Sequence, residues 1–85
     1  MIIAFHRSFK KQFDQLTRKE KEKFEERLEL FIHDPFHPLL YNHPLKGEYL
    51  DYRSINIAGD LRAIYKDQQD NIIFTDIGTH SDLYR

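Results

Sequence analysis

The stretch Ser54-Ile55-Asn56-Ile57-Ala58-Gly59-Asp60-Leu61-Arg62-Ala63-Ile64-Tyr65-Lys66 constrains this chain more than any other. Ile55 and Ile57 alternate with Ser54 and Asn56, and Leu61, Ala63 and Tyr65 alternate with Arg62 and Lys66. A period of two predicts a pair of half-buried strands. Gly59 offers the positive φ that a tight reversal between them needs. Slipping the register by one residue would turn every side chain to the other face, so the pattern sets both register and facing. Arg62 must then lie opposite Ala63 and Tyr65. An arginine among apolar strand residues is costly unless it meets an anion or a carboxylate.

The rest of the chain supplies a cover for that hairpin. Met1–His6 is a short apolar run and predicts a first strand. Ser8 is the expected N-cap of a helix carrying Phe9, Phe13 and Leu16 on one face. Thr17-Arg18-Lys19-Glu20 has capping-box spacing and starts a second helix with the stripe Phe24, Leu28 and Phe31. Pro35 ends it, because a residue before proline avoids the helical region. A loop spans Asp34 to Pro44. Strands are expected over Glu48–Ile57, Leu61–Lys66 and Ile72–Ile77, with a polar turn at 67–71, Gly78 as a stop and a polar tail from Thr79. The predicted class is α+β, in the order β-α-α-β-β-β. A helical hairpin covers one face of a mainly antiparallel four-stranded sheet, and 1–85 is one domain.

Composition narrows the function. There is no cysteine, so disulfides and thiolate metal sites are excluded. No run of 18 apolar residues occurs, and the N-terminus lacks a signal-peptide pattern, which predicts a soluble cytoplasmic chain without membrane contact. A net charge of −1 argues against general polyanion binding, and the basic runs Arg7–Lys11 and Arg18–Lys23 read as solvated helix faces. His33 and His37 have a metal-like spacing, but Pro35 interrupts the helix that would align them. No metal and no cofactor is expected.

If Ala63 and Tyr65 face the helices, Arg62 faces the open side of the sheet with Asn56, Ser54 and Tyr52. The loop around His43 and the tail with His80 and Tyr84 border the same concavity, and Asp60 sits in the hairpin turn. Ribonucleolytic phosphoryl transfer needs a base for the 2′-hydroxyl, an acid for the leaving 5′-oxygen, and donors for the crowded phosphorane. Histidine can take either proton role near neutrality. Arginine offers a permanent fork to phosphate oxygens. Each residue also has a plain structural account. Arg62 can pair with Asp60 or Asp76, His80 can be a surface histidine, Tyr84 can be packing, His43 can order its loop, and Asp60 suits a turn.

Four segments carry a family resemblance: His43-Pro44-Leu45-Lys46-Gly47, Tyr52-Arg53, Gly59-Asp60-Leu61-Arg62-Ala63-Ile64-Tyr65-Lys66 and Gly78-Thr79-His80-Ser81-Asp82-Leu83-Tyr84. Together they resemble the RelE/ParE toxin superfamily, and the first and last point to its YafQ-like branch. The resemblance implies a toxin of a type II toxin–antitoxin module with a cognate antitoxin as partner. It implies metal-independent cleavage of mRNA in the ribosomal A site, leaving a 2′,3′-cyclic phosphate and a 5′-hydroxyl. On this view His43, Asp60, His80 and Tyr84 are active positions, and the wider superfamily adds Arg62. Lys46, Arg53, Asn56 and Lys66 are then the candidates for RNA contact. Asn56 stands where the branch usually has a histidine, and an amide cannot carry a proton at neutral pH. The alternatives are a ParE-like toxin that binds DNA gyrase without catalysis, and a domain whose polar face meets only its antitoxin. The His43/His80 pair separates the first of these from a nuclease.

Overall fold

Breaks in the apolar runs set the order of the elements. The computed structural model describes residues 1–83. It contains β1 (Ile2–Phe5), α1 (Arg7–Asp14), α2 (Arg18–His33), β2 (His43–Pro44), β3 (Tyr52–Ala58), β4 (Leu61–Gln68), β5 (Asn71–Thr79) and α3 (His80–Leu83). Single 3-10 turns occupy Pro38–Leu40 and Gly47–Tyr49. The sheet order is β1-β5-β4-β3-β2, with β1 parallel to β5 and every other pair antiparallel. The helical hairpin and the mainly antiparallel sheet agree with the sequence pattern. Among the described residues, no helix is long and apolar enough to cross a membrane.

Several boundaries differ, each for a local reason. His6, not Ser8, caps α1, because its Nδ1 accepts the Ser8 N–H at 3.1 Å. The sheet gains a fifth strand of two residues at His43–Pro44. The strand expected from Glu48 begins only at Tyr52, because Gly47 (φ 66) and Asp51 (φ 78) reverse the backbone between them. Gly78 continues β5 instead of ending it, and His80–Leu83 of the tail form α3. Thr17 and Glu20 do form the reciprocal capping box at the start of α2, at 2.9 and 3.1 Å.

The core is a chain of rings laid between helices and sheet. Phe5, Phe9, Phe24, Phe31, Phe74 and Tyr65 contact one another with centroids 5.0 to 6.3 Å apart. Burying each ring contributes roughly 1.5–3 kcal/mol. Ile55, Ile57, Leu61, Ala63 and Ile77 complete the layer. Phe74 and Ile77 are three residues apart, which strict alternation would put on opposite faces. A bulge reconciles them: Ile64 pairs with Asp76 and Tyr65 with Phe74, which leaves Thr75 unpaired. The Thr75 hydroxyl reaches the Ile64 carbonyl at 3.5 Å. Gln12 of α1 meets the strand beside the bulge. Its Oε1 accepts the Ile77 N–H at 2.9 Å, and its Nε2 donates to Asp76 at 3.2 Å. At the opposite sheet edge, Arg27 of α2 donates to the Ile57 carbonyl at 3.3 Å.

The second face of the sheet is not bare. Ser54 and Ile64 on that face are fully buried. α3 docks close to the strand there: a Cβ on Gly78 would lie 3.3 Å from the Asp82 Cβ and 3.4 Å from a Leu83 methyl. The Tyr49 hydroxyl donates to the Leu83 carbonyl at 3.4 Å. At the far end of the core, Asn42 ties down the long loop. Its amide donates to the Pro35 carbonyl at 2.9 Å and to the Tyr65 hydroxyl at 2.8 Å, and its oxygen accepts from Arg53 Nε at 2.7 Å.

Gln12→Leu would leave the buried-edge Ile77 N–H without a partner, so urea denaturation should show a loss of about 1–3 kcal/mol. Burial pushes the Tyr65 hydroxyl above its ordinary pKa, against the opposing effects of Asn42 and Arg53. Because the folded state favours the neutral phenol, that contribution is complete below pH about 10 and is lost as pH rises further. Alkaline denaturation curves of Tyr65→Phe should therefore fall less steeply above pH about 10 than those of the wild type.

Candidate active-site cleft

The face opposite the ring core carries a cleft of about 260 Å³ lined by His43, Leu45, Lys46, Tyr49, Arg62 and His80. Four separate elements build it. β4 delivers Arg62 by alternation, because its neighbours Leu61 and Ala63 face the core. β2 delivers His43, which pairs with Ser54. The turn after β2 delivers Lys46 and Tyr49. β5 runs directly into α3, whose first residue is His80.

Local hydrogen bonds orient these groups. His43 Nδ1 lies 2.9 Å from the Tyr41 carbonyl. A carbonyl only accepts, so in the neutral ring Nδ1 carries the proton and Nε2 keeps its lone pair. Tyr41 holds a left-handed backbone (φ 44) that aims this carbonyl, a strained conformation for a bulky residue. The Asp60 carboxylate joins two elements. One oxygen accepts the His80 backbone N–H at 3.3 Å, and the other lies 3.9 Å from Arg62 Nε. Thr79 and Asp82 cap α3 reciprocally, with N–H to side-chain bonds of 3.4 and 3.2 Å.

The residues expected at the site thus separate. His43, His80, Arg62 and Lys46 line one cleft, and Asp60 stands at its rim. Asn56 sits beneath, directly opposite Arg62 across the hairpin. Arg53 does not join them. It pairs with Tyr65, on the ring side of the sheet, bonds to Asn42 and lies over the Phe36 ring at 5.2 Å. Lys66 lies farther along β4, over the Tyr52 ring at 5.4 Å. Tyr84 lies outside the described residues. His33 pairs with Glu29 at 3.2 Å, and His37 caps the Pro38–Leu40 turn. Tyr49 also lines the cleft; the expected strand Glu48–Ile57 hides it in the sequence, because its place depends on the Gly47–Tyr49 turn. Sequence reasoning also missed α3, although Thr79-His80-Ser81-Asp82 has the same capping spacing that marks α2.

A larger cleft of about 420 Å³ lies between α1 and the end of β5, lined in part by Gln12, Gln15, Leu16 and Leu61. It contains no histidine and no arginine; its charged lining residues are Lys11, Glu20 and Asp82.

The family model described as bacterial toxin of type II toxin–antitoxin system, YafQ, matches residues 1–85. A search of the curated proteins found no match. Among solved structures, the fold is similar to YafQ from E. coli strain BL21(DE3), with a TM-score of 0.84 and 24% identity over 98% of this chain and 97% of that one. The E. coli DinJ–YafQ toxin–antitoxin complex gives a TM-score of 0.81 and 24% identity over 98% and 96%. The YoeB/ParE toxin from Agrobacterium tumefaciens gives 0.79 and 20% identity over 94% and 99%.

Removing the hydroxyl cap with Thr79→Ala should cost about 1 kcal/mol locally. Hydrogen exchange should then accelerate at residues 80–83, while the amides of β3 and β4 keep their protection.

Proposed function

The chain belongs to the YafQ family of bacterial type II toxin–antitoxin toxins, and from that membership and the chemistry of its cleft we propose that it is a ribosome-dependent mRNA endonuclease. One observation carries the reading: two histidines border a cleft that also holds an arginine and a lysine. His43 is the base that takes the 2′-hydroxyl proton, because the Tyr41 carbonyl holds its Nδ1–H and leaves Nε2 free to accept. The 2′-oxygen attacks the adjacent phosphorus. Arg62 and Lys46 stabilise the charge that gathers on the phosphorane oxygens. His80 gives a proton to the departing 5′-oxygen, so the products are a 2′,3′-cyclic phosphate and a 5′-hydroxyl. Asp60 positions His80 by holding its backbone N–H. Tyr84 extends the same end of the chain and is the candidate for contact with the nucleotide. Asn56 does not transfer protons, which leaves that work to the two histidines.

A cognate antitoxin is the proposed protein partner, as DinJ is for YafQ in the E. coli complex, and mRNA in the ribosomal A site is the proposed substrate in the cytoplasm. A gyrase-binding toxin without catalysis would have no use for two histidines around an arginine. Mapping mRNA 5′ ends after brief induction tests the choice. Cuts within codons, in frame, are the expected result; intact mRNA with damaged DNA would overturn it. His80→Ala should slow single-turnover cleavage on programmed ribosomes by about 10²–10⁴-fold while folding normally. An undiminished rate would remove His80 from the mechanism.

A further inference from the structure

Among the described residues, three buried side-chain polar atoms have no hydrogen-bond partner: Ser54 Oγ, Asn56 Oδ1 and Arg62 Nε. All three stand on the cleft face of β3 and β4. Two of them are complementary. Asn56 and Arg62 are directly opposed in the ladder, one offering an open acceptor and the other an open donor. Ser54 is opposed on one side to Ile64, which has no polar side-chain atom to offer, and on the other to His43, whose Nδ1 lies against the Tyr41 carbonyl.

Directly opposed residues carry their Cβ atoms about 4.5–5.5 Å apart. Changes in side-chain torsion are enough for an amide oxygen and an arginine Nε to meet over that span. In the structure they do not meet. Arg62 Nε lies instead 3.9 Å from the Asp60 carboxylate, too far for a hydrogen bond. The guanidinium is therefore in a loose ion pair at the rim, with a better partner beneath it.

We propose that Asn56 is the positioning residue for Arg62, accepting its Nε–H when a phosphodiester occupies the cleft. The inference rests on the RNA-cleaving reading and assigns Asn56 a task within it. Anchoring Nε–H leaves the two terminal nitrogens as a fork for two phosphate oxygens. A neutral acceptor suits this task. An aspartate in its place would bind the guanidinium but cancel the charge that phosphate requires. Asp60, released from Arg62, keeps its bond to the His80 backbone.

A double-mutant cycle tests the coupling. The probe is a programmed ribosome whose A-site codon carries 2′-deoxyribose, so the attacking hydroxyl is missing and binding is read without cleavage. Wild type, Asn56→Leu, Arg62→Lys and the double variant are compared. With Arg62 intact, Asn56→Leu should weaken binding about tenfold, as expected for losing a hydrogen bond to a charged group. In the Arg62→Lys background, where the side chain has no Nε–H, the same change should alter affinity less than about twofold. An equal loss in both backgrounds overturns the assignment. Asn56→Leu also removes an open buried acceptor, so it should melt no lower than the wild type; a lower melting temperature would make the amide a structural group and overturn the assignment too. If the wild type itself does not bind these ribosomes, the RNA-cleaving reading fails with it. If it binds and the losses are additive, only the role of Asn56 fails.

Discussion

One unpaired residue, Thr75, controls both sides of the sheet. Before it, Ile72 and Phe74 face the rings; after it, Ile77 does. The shift in alternation lets a single strand serve the core along its whole length. It also turns Gly78 to the same side as Arg62, its partner in the ladder. α3 can then lie close against the strand, and His80 emerges beside the cleft. Without the bulge the last residues of β5 would exchange faces, and the strand would have to choose between its core and its site. Gln12 secures this arrangement from α1 by binding Ile77 and Asp76 together.

The two layers are built in different ways. The ring layer is held by large buried side chains and two capped helices. The cleft layer is made of short pieces: a two-residue strand, a single 3-10 turn and a four-residue helix. Such pieces cannot bury enough apolar surface to hold themselves. Each is pinned by specific polar contacts, as Tyr41 pins His43, Asp60 pins His80, and Thr79 with Asp82 pins α3. The cleft side chains are thus attached to a rigid sheet through local hydrogen bonds, which place them at little cost in core size.

What could be read from the sequence follows the same division. Period two with Gly59 set the central hairpin and the side taken by Arg62, and apolar spacing set both helices. The same parity, applied to Arg53, puts it with Tyr65 on the ring side of the sheet rather than at the cleft. α3 was marked by Thr79 and Asp82 but is too short to show an apolar period. The bulge left no trace, because Thr75 and Asp76 are ordinary strand and turn residues and only the pairing with β4 singles one out. β2 was hidden by Pro44, since two residues of ladder need no strand-forming composition. The way Asn56 meets Arg62 depends on cross-strand register, which single residues do not reveal.

β1 covers only Asn71–Phe74 of β5, and β2 covers only Arg53 and Ser54 of β3. Each long strand therefore runs on past its short neighbour with one side of its backbone uncovered. Such margins are templates on which another chain can add a strand and begin aggregation. Gln12 takes up the Ile77 amide on one margin, and Arg27 takes up the Ile57 carbonyl on the other. Two helix side chains thus take up backbone groups on this sheet that additional strands would pair in a larger one, so part of its edge protection lies on the inner faces of its helices.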